Sequence, residues 1–290
     1  MRKRLTKKTK IILCMLSAVI FALFIWTIWG NTALTVSNIK ISSSRIPTAF
    51  SGFRIAQVSD LHNAEFGKGN KKLLELLSES KPDIIVITGD FVDAGHTDIG
   101  VALDFAKGAV NLAPVYYVTG NHEASLSQYD KLKTGLETIG VIVLEDEAIQ
   151  LKRDKKAITL IGLSDPNFTL KGDIFGEAPA MVSTKRNSLA DDESSYTILL
   201  SHRPELFESY AHCNIDLVLS GHAHGGQFRL PFIGGLIAPD QGIFPKYDAG
   251  LFTNGSTNMI VSRGLGNSII PIRFNNRPEV IVIELLNTDL

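Results

Sequence analysis

The sequence is organised around the stretch Ile84-Ile85-Val86-Ile87-Thr88-Gly89-Asp90-Phe91-Val92-Asp93. Its run of β-branched residues predicts a strand that is buried on both faces. The strand ends at a glycine and a carboxylate, which places Asp90 at its carboxyl end. Sites in open α/β sheets form at the carboxyl ends of strands. Because a Gly-Asp pair is also a common turn, the interpretation depends on the residues at the ends of the other strands.

The segments around this strand alternate between strand and helix patterns. The predicted order is strand 53–60, helix 70–80, strand 84–88, helix 98–111, strand 115–118 and helix 127–139. The first of these strands also ends at an aspartate, Asp60. Such an alternating order predicts a largely parallel sheet with right-handed connections.

Beyond residue 140 the strand candidates become short and closely spaced, as is typical of hairpins. They lie at 141–144, 148–151, 157–163, 196–201, 216–220, 258–262 and 279–285, with a short helix at 204–210. A first edge strand is expected within residues 31–52. We therefore expect an α/β fold of two mixed β-sheets packed face to face and flanked by helices, in one domain that covers residues 31–290.

The composition bounds the possible functions. The chain has 290 residues, a net charge of -1 and 44% hydrophobic residues, enough for one large α/β domain with a substantial core. The balanced charge argues against a nucleic-acid partner and against a nuclease with a basic groove. Cys14 and Cys213 are the two cysteines, which excludes a disulfide scaffold and a cysteine-based metal cage.

The amino terminus predicts a membrane anchor. Basic residues crowd the first ten positions, and residues 11–29 contain no charged side chain and end in Trp26-Thr27-Ile28-Trp29. This segment is long enough to cross a bilayer as a helix, and the positive-inside rule puts the domain after Gly30 outside the cytoplasm. We expect residues 1–30 to form a cytoplasmic tail and a single-pass anchor in the cell membrane. A cleaved signal peptide is the alternative.

Polar signatures come directly after five of the predicted strands. They are Asp60-Leu61-His62, Gly89-Asp90-Phe91-Val92-Asp93, Gly120-Asn121-His122-Glu123, Ser201-His202 and Gly221-His222-Ala223-His224. Imidazole, carboxylate and amide groups without a thiolate favour Mn²⁺, Fe or Zn²⁺. The set offers more ligands than the three that one catalytic metal usually takes from the protein. The sequence therefore predicts two metals held about 3.5–4 Å apart by a bridging carboxylate.

In order and spacing these signatures resemble the pattern D-x-H, G-D-x-x-D, G-N-H-E/D, H and G-H-x-H of the calcineurin-like metallophosphoesterases. All five blocks stand between residues 60 and 224. The run Gly-His-Ala-His-Gly-Gly-Gln at 221–227, Pro271-Ile272-Arg273-Phe274 and Pro278-Glu279-Val280 are similar to the membrane-associated bacterial branch of that family. The resemblance implies the family's fold, a sandwich of two mixed sheets between helices, and phosphate-ester hydrolysis.

The resemblance also implies roles for individual residues. Asp60, His62 and His224 would hold the first metal, and Asn121, His202 and His222 the second. Asp90 would bridge the two metals together with a water or hydroxide that attacks phosphorus in line. His122 would act as a general acid or stabilise charge on the phosphoryl group, and Asp93 would orient His122. The alternative for Asp93 is a turn or helix-capping residue.

One departure from the family pattern bears on the substrate. Asp93-Ala94-Gly95 stands where the protein phosphatases of the superfamily have Asp-Arg-Gly, so an arginine that grips phosphate is missing. We expect a membrane-anchored, binuclear phosphoesterase, with Mn²⁺ as the first candidate metal, that hydrolyses a phosphodiester or pyrophosphate bond of a membrane or envelope lipid. The alternatives are soluble nucleotides or phosphomonoesters as substrates, and an inactive metal-binding scaffold.

Several outlying residues have open roles. Apolar segments at 164–192 and 230–237 could form a cap that receives a lipid chain, or could fold back onto the core. Glu123 and Asp165 are expected to support the loops around the site. Solvated or structural roles are expected for His96 and His212, and a surface or second-sheet location for most of the arginines that could contact phosphate. Those arginines are Arg203, Arg229, Arg263 and Arg273.

Overall fold

The computed structural model describes residues 6–170, 174–189 and 195–289. Its helices are α1 Lys7–Thr32, α2 Lys71–Ser80, α3 Ile99–Ala109, α4 Asn121–Ala124, α5 Tyr129–Ile139, α6 Ile174–Leu189 and α7 Phe207–His212. Its strands are β1 Thr35–Ser42, β2 Phe53–Val58, β3 Ile84–Thr88, β4 Val115–Val118, β5 Ile142–Val143, β6 Glu147–Arg153, β7 Lys156–Gly162, β8 Thr197–Leu200, β9 Leu217–Ser220, β10 Arg229–Leu230, β11 Gly234–Gly235, β12 Ile237–Ala238, β13 Gly242–Ile243, β14 Gly250–Asn254, β15 Thr257–Val261 and β16 Glu279–Leu286.

Two mixed sheets of six strands form the centre of the fold. The first sheet has the order β1-β16-β2-β3-β4-β5, in which β16 and β2 are antiparallel and the other neighbours are parallel. The second sheet has the order β14-β15-β9-β8-β7-β6, with antiparallel pairs at both ends and parallel strands between them. The expected α/β fold with two mixed sheets is confirmed.

Strand β3 shows why the central run is apolar throughout. Ile84 and Val86 point into the core between the two sheets. Ile85 and Ile87 point into the core under α2, α3 and α5. Since successive side chains of a strand face opposite sides, a strand covered on both faces has no position that faces solvent. The same alternation in β9 places Leu217 and Leu219 between the sheets and Val218 under α6 and α7.

Helix α6 lies within the apolar segment 164–192, for which the sequence left open a cap or a part that folds back onto the core. Residues 174–189 form this helix, with Pro179 inside it, and Ala178 and Val182 are buried against the second sheet. A proline within a helix and a weak apolar stripe hide the helical pattern from the sequence. The described part of the segment therefore folds back onto the core, while residues 171–173 and 190–194 lie outside the described residues.

The assignment of residues 141–144 to the hairpin-rich region was wrong. Strand β5 pairs in parallel with β4 at the edge of the first sheet, because α5 forms the crossover between them. Gly140 ends α5 with φ of 101°, a left-handed conformation that glycine adopts without steric cost. The expected hairpins are confirmed for β6 with β7 and for β14 with β15.

Helix α1 meets the domain at one particular edge of the first sheet. Thr35, at the start of β1, pairs with Glu279 at the start of β16, and β16 runs antiparallel to β2. The start of β1 therefore lies at the edge where β2 and β3 end. Among the described residues α1 is the one helix long and apolar enough to cross a membrane. The basic residues Arg2, Lys3 and Arg4 lie outside the described part.

Candidate metal centre

The five polar signatures meet at one edge of the sandwich. Three come after β2, β3 and β4 of the first sheet, and two come after β8 and β9 of the second. Parallel strands bring their carboxyl ends to the same edge, and the packing of the two sheets brings both sets of loops together. The side chains buried there are Asp60, His62, Asp90, His202, His222 and His224.

The first cluster of possible ligands consists of Asp60, His62, Asp90 and His224, which offer atoms within 4.8 Å of one another. The Nε2 atoms of His62 and His224 are 3.2 Å apart. The Oδ2 atom of Asp90 lies 3.5 Å from His62 Nε2, and the Oδ1 atom of Asp60 lies 3.6 Å from His224 Nε2. These four side chains converge on one small volume.

The second cluster consists of Asp90, His202 and His222. His202 Nε2 lies 3.1 Å from Asp90 Oδ2 and 3.2 Å from His222 Nδ1. Asn121 stands beside this cluster, because the backbone N–H of His122 donates to Asp90 Oδ1 at 2.9 Å. The Oδ2 atom of Asp90 is therefore common to both clusters.

Unpaired acceptors indicate that the clusters fit cations. Asp60 Oδ2 and Asn121 Oδ1 are buried and accept no hydrogen bond from any described residue. Buried polar atoms without a partner are rare, since leaving them unpaired costs free energy. The oxygen and imidazole donors are those that Mn²⁺, Fe and Zn²⁺ prefer. The residues present thus fit two divalent cations that share one carboxylate.

The electrostatics of the clusters also favour positive charge. Burial opposes ionisation of Asp90, but the charges of His202 and His62 outweigh it and hold the pKa of Asp90 well below its ordinary value. Burial opposes a charge on His202 as well, yet the Asp90 carboxylate raises the pKa of His202 to about 10. The Nδ1 atom of His202 is engaged with the Thr88 carbonyl at 2.7 Å, which leaves Nε2 to face the cluster.

The backbone at the clusters is in an unusual conformation. Positive φ values occur at Asp60 (51°), His62 (43°), Asp90 (49°), His222 (66°) and His224 (47°). A non-glycine residue held in the left-handed region costs about 1–3 kcal/mol, and such residues concentrate at functional sites. Each sharp turn directly after a strand redirects a side chain towards the others. No sequence pattern predicted this strain.

Two glycines of the signatures allow the loops to approach each other. A Cβ atom on Gly120 would lie 2.2 Å from Asp90 Oδ1, and one on Gly221 would lie 2.4 Å from Asp60 Oδ2. Both distances are far below van der Waals contact. Glycine is therefore required at these positions because a neighbouring loop presses its carboxylate against the backbone.

His122 and Asp93 lie at the side of the first cluster. The backbone N–H of Ala94 donates to His122 Nδ1 at 3.0 Å, so the ring of His122 carries its proton on Nε2, which is 3.1 Å from Ser268 Oγ. Asp93 Oδ2 lies 3.5 Å from His62 Nδ1 and 3.7 Å from His122 Nδ1. Asp93 therefore neighbours both histidines, and the idea that it orients His122 stays a prediction.

Glu123 supports the loops of the site from below. Its Oε1 atom accepts the backbone N–H groups of Phe91 and Val92 at 2.8 and 3.2 Å, and its Oε2 atom accepts those of Asp90 and Gly120 at 2.8 and 2.7 Å. Burial and the charge of Asp90 raise the pKa of Glu123 to about 7, against the four donors that favour its ionised form. Glu123 thus fixes Asp90 and the Gly120 turn relative to each other.

Glu123→Gln is expected to destabilise the fold by at least about 3 kcal/mol. The amide nitrogen of glutamine cannot accept the two N–H groups that one carboxylate oxygen of Glu123 accepts, and each hydrogen bond to a charged group contributes about 1.5–3 kcal/mol. Urea unfolding of the full chain in detergent micelles measures this loss. The matched control is Glu65→Gln, where an exposed carboxylate accepts the N–H of Gly69 and the change should stay within about 0.5 kcal/mol. Equal stability of the two variants would contradict the assigned role.

The sequence analysis did not identify a network of charged side chains around His222. Asp240 Oδ2 lies 2.9 Å from His222 Nε2, on the ring edge opposite His202. Arg203 donates to Asp240 and, through Nε, to Asp165 Oδ2 at 2.6 Å. A carboxylate on the far nitrogen of a metal-binding histidine sets its tautomer and orientation. Asp240 carries no motif, and its place after Ile237-Ala238-Pro239 gives only the weak signal of a lone carboxylate in an apolar loop.

The four arginines considered from the sequence all have protein partners among the described residues. Arg229 pairs with Asp248 at 2.9 Å and Arg263 with Glu279 at 2.7 Å. Arg203 and Arg273 are almost completely buried. Arg203 follows β8 of the second sheet, one of the two locations expected for most of these arginines. Arg273 donates to the backbone carbonyls of Arg263 and Gly266. His96 and His212 are exposed and lie outside both clusters.

The sequence and the fold have known relatives. A family model described as calcineurin-like phosphoesterase matches residues 53–226, a range that contains all five signatures. The chain is 32% identical over 257 residues to the metallophosphoesterase YkuE of Bacillus subtilis (strain 168), covering 86% of this chain and 84% of that protein. It is 28% identical over 239 residues to the phosphodiesterase YaeI of Escherichia coli (strain K12), covering 81% and 82%.

The fold has a counterpart among solved structures. The crystal structure of TT1561 of Thermus thermophilus matches with a TM-score of 0.52 and 12% sequence identity, over 74% of this chain and 91% of that chain. At this identity the match shows the shared fold.

Proposed function

The chain belongs to the calcineurin-like phosphoesterase family and is therefore a metal-dependent phosphoesterase, and we propose that it hydrolyses phosphodiester or pyrophosphate bonds beside a membrane. The family uses a dinuclear divalent metal centre. The observation that carries the proposal is the pair of ligand clusters that share Asp90 Oδ2. A shared carboxylate is the feature that a two-metal site needs and a single-metal site does not.

The proposed assignment of ligands corresponds to the two clusters. Asp60, His62 and His224 hold the first cation, and Asn121, His202 and His222 hold the second, with Asp90 common to both. Mn²⁺ is the first candidate because oxygen donors accompany the imidazoles. When bound, such a pair supplies hydroxide near neutral pH and neutralises charge that develops on the phosphate oxygens.

His122 is proposed as the proton donor to the leaving oxygen. Its Nδ1 atom accepts the N–H of Ala94, which directs its own N–H, on Nε2, to the other side of the ring. Its side chain is 17% exposed, so a substrate can reach it, whereas the ligand histidines are more deeply buried. Asp93 Oδ2 lies 3.5 Å from His62 Nδ1, where it would accept the N–H of that ring, and 3.7 Å from His122 Nδ1.

The surroundings of the clusters favour a substrate with little negative charge on the reacting phosphate. Ala94 stands where the protein phosphatases carry an arginine, and the four arginines named above are engaged by carboxylates or carbonyls. A phosphodiester carries one negative charge and a phosphomonoester two at neutral pH, so a site without a free guanidinium suits the diester better.

A test of this proposal uses the full chain in detergent micelles loaded with Mn²⁺. Bis(4-nitrophenyl) phosphate should be hydrolysed faster than 4-nitrophenyl phosphate, chelation should abolish turnover, and added Mn²⁺ should restore it. His212→Ala, an exposed histidine remote from both clusters, is the control and should match the parent chain. Faster turnover of the monoester would favour the phosphomonoesterase alternative, and no turnover of either ester would favour a metal-binding scaffold.

The proposed location is the cell membrane, with residues 11–29 of α1 as a single-pass anchor, residues 1–30 as a separate segment and residues 31–290 as an extracytoplasmic domain. The support is the apolar composition of α1, which is long enough to span, and the basic residues before it. An envelope or membrane lipid is then the substrate within closest reach.

The sidedness can be measured with Ser256→Cys, which places a thiol in the exposed turn between β14 and β15. A membrane-impermeant maleimide should label this variant in intact cells. Labelling that appears only after lysis would put the domain on the cytoplasmic side.

A further inference from the structure

Two loops beside the metal clusters carry large apolar side chains into solvent. We call this set the apolar rim, and it consists of Phe232, Ile233, Ile243, Phe244, Ile269 and Ile272. Phe232 is fully exposed and Ile269 is 91% exposed. The loops are joined to each other, because Gln227 donates its side-chain N–H groups to the carbonyls of Ile270 and Ile272. An exposed apolar patch of this kind marks an interaction surface.

The inner side of the same loops contacts the site. Asp240, between the rim residues of the first loop, bonds to His222 Nε2 at 2.9 Å. Ser268, next to Ile269 in the second loop, lies 3.1 Å from His122 Nε2. A cavity of about 250 Å³ lies between the loops and is lined by His224, Gln227, Ile237, Pro239, Ile269 and Ile270, among others. The rim residue Ile269 thus lines an apolar cavity that ends at a ligand histidine, and the other rim residues lie outside the cavity wall.

The second loop also holds the end of α1. Asn31 accepts the backbone N–H of Arg273 at 2.8 Å and donates to its carbonyl at 3.0 Å. The Arg277 guanidinium stacks on the Trp29 ring at 4.6 Å from its centroid. Only residues 33 and 34 separate α1 from β1, and β1 starts at the edge that carries the clusters. The carboxyl end of α1 is therefore fixed to the second loop without a flexible stalk.

We propose that the apolar rim enters the bilayer that α1 crosses and holds the cavity at the level of the lipid head groups. The rim binds the bilayer surface. Helix α1, which is fixed to the same loop, requires a lipid environment along its whole apolar length. The substrate class is inferred from the cavity: a phosphate ester joined to a long hydrocarbon chain, with the chain against Ile237 and Ile269 and the phosphate at the metal clusters. This choice of substrate rests on the proposed phosphoesterase function, whereas the docking of the rim rests on the proposed membrane anchor and not on hydrolysis.

Depth-dependent fluorescence quenching tests the docking without measuring hydrolysis. The full chain is placed in lipid nanodiscs as Ile269→Cys in a Cys14→Ser, Cys213→Ala background and labelled with an environment-sensitive fluorophore. Lipids brominated on their acyl chains should quench this label and leave a label at Ser256→Cys unaffected, since the turn before β15 lies at the sheet edge opposite the site. Equal quenching at the two positions would overturn the docking proposal.

Hydrolysis of two diesters then tests the substrate class. The turnover of two substrates is compared: hexadecyl 4-nitrophenyl phosphate in nanodiscs and water-soluble bis(4-nitrophenyl) phosphate. Both are tested with the parent chain and with the double variant Phe232→Ser, Ile233→Ser, which changes two rim residues outside the cavity wall. The double variant should lose at least about tenfold in turnover of the hexadecyl ester and keep that of the soluble ester within about twofold. An unchanged rate on the hexadecyl ester would overturn the substrate class. Failure of the parent chain to hydrolyse either diester would refute the proposed function, and the quenching result would still stand.

Discussion

Asp90→Asn is expected to abolish binding of the second cation and to reduce turnover of a phosphodiester to the background of the metal-free protein. Its Oδ2 atom lies 3.5 Å from His62 Nε2 and 3.1 Å from His202 Nε2, whereas the other carboxylate of the clusters, Asp60, is 4.0 Å from His202 Nε2. Removal of a single charge-stabilising group in an active site typically costs about 10²–10³-fold. Loss of a shared ligand should exceed that range, because both cations are affected.

Asparagine is the appropriate replacement because it preserves the backbone. Asp90 has φ of 49°, and asparagine tolerates the left-handed region far better than alanine does. The measurements are the number of Mn²⁺ ions per chain, by mass spectrometry of the metal, and the rate of diester hydrolysis. Asp98→Asn is the matched control, since Asp98 caps α3 and asparagine caps equally well. Two ions per chain with a rate within tenfold of the parent would contradict the shared-ligand assignment.

His122→Ala is expected to lower turnover by about 10²–10⁴-fold, the usual contribution of a general acid, while both cations remain bound. The reason is geometric: His122 Nδ1 is engaged by the Ala94 N–H at 3.0 Å, and its protonated Nε2 is the atom available to a substrate. Metal content separates this outcome from that of Asp90→Asn. Loss of a cation from His122→Ala would show that the histidine is a ligand instead.

The leaving group distinguishes the two roles considered for His122. A general acid matters little for 4-nitrophenolate, which leaves unprotonated, and greatly for phenolate or an alkoxide, which need the proton. The effect of His122→Ala should therefore be much larger for a phenyl ester than for a 4-nitrophenyl ester. Equal effects on both esters would assign His122 to charge stabilisation. His212→Ala, an exposed histidine outside both clusters, is the control and should leave both rates unchanged.

The fold and the ligand clusters were accessible to sequence analysis because both depend on local patterns. The β-branched run of β3 is apolar since each of its faces enters a different core, and the aspartates and histidines come directly afterwards in the turns. Strand β5 was misassigned because two residues carry no periodicity, and its sheet is decided by the crossover helix α5. Helix α6 was hidden by Pro179.

The supporting residues were harder to predict, because their roles exist only in the folded chain. Asp240 contacts His222 from a loop that carries no sequence motif. Arg203 is buried and donates to Asp165, which lies 38 positions away in sequence. Arg203 and Arg273 had been considered as possible phosphate contacts, since a single sequence gives an arginine's charge and not its neighbours. The left-handed turns at the ligands could not be predicted either, because aspartate and histidine are not specific for that backbone conformation.

Those turns have a consequence for how this fold would change if hydrolysis were no longer needed. Asp60, Asp90, His222 and His224 hold a backbone shape that glycine or asparagine would adopt with less strain. A descendant that no longer catalyses hydrolysis would gain thermal stability by accepting those two residues at the four positions, and each exchange to glycine would also remove a cation ligand. A relative that has lost the activity would then be recognisable in its sequence by glycine or asparagine at the former ligand positions, and it would be more stable than the enzyme.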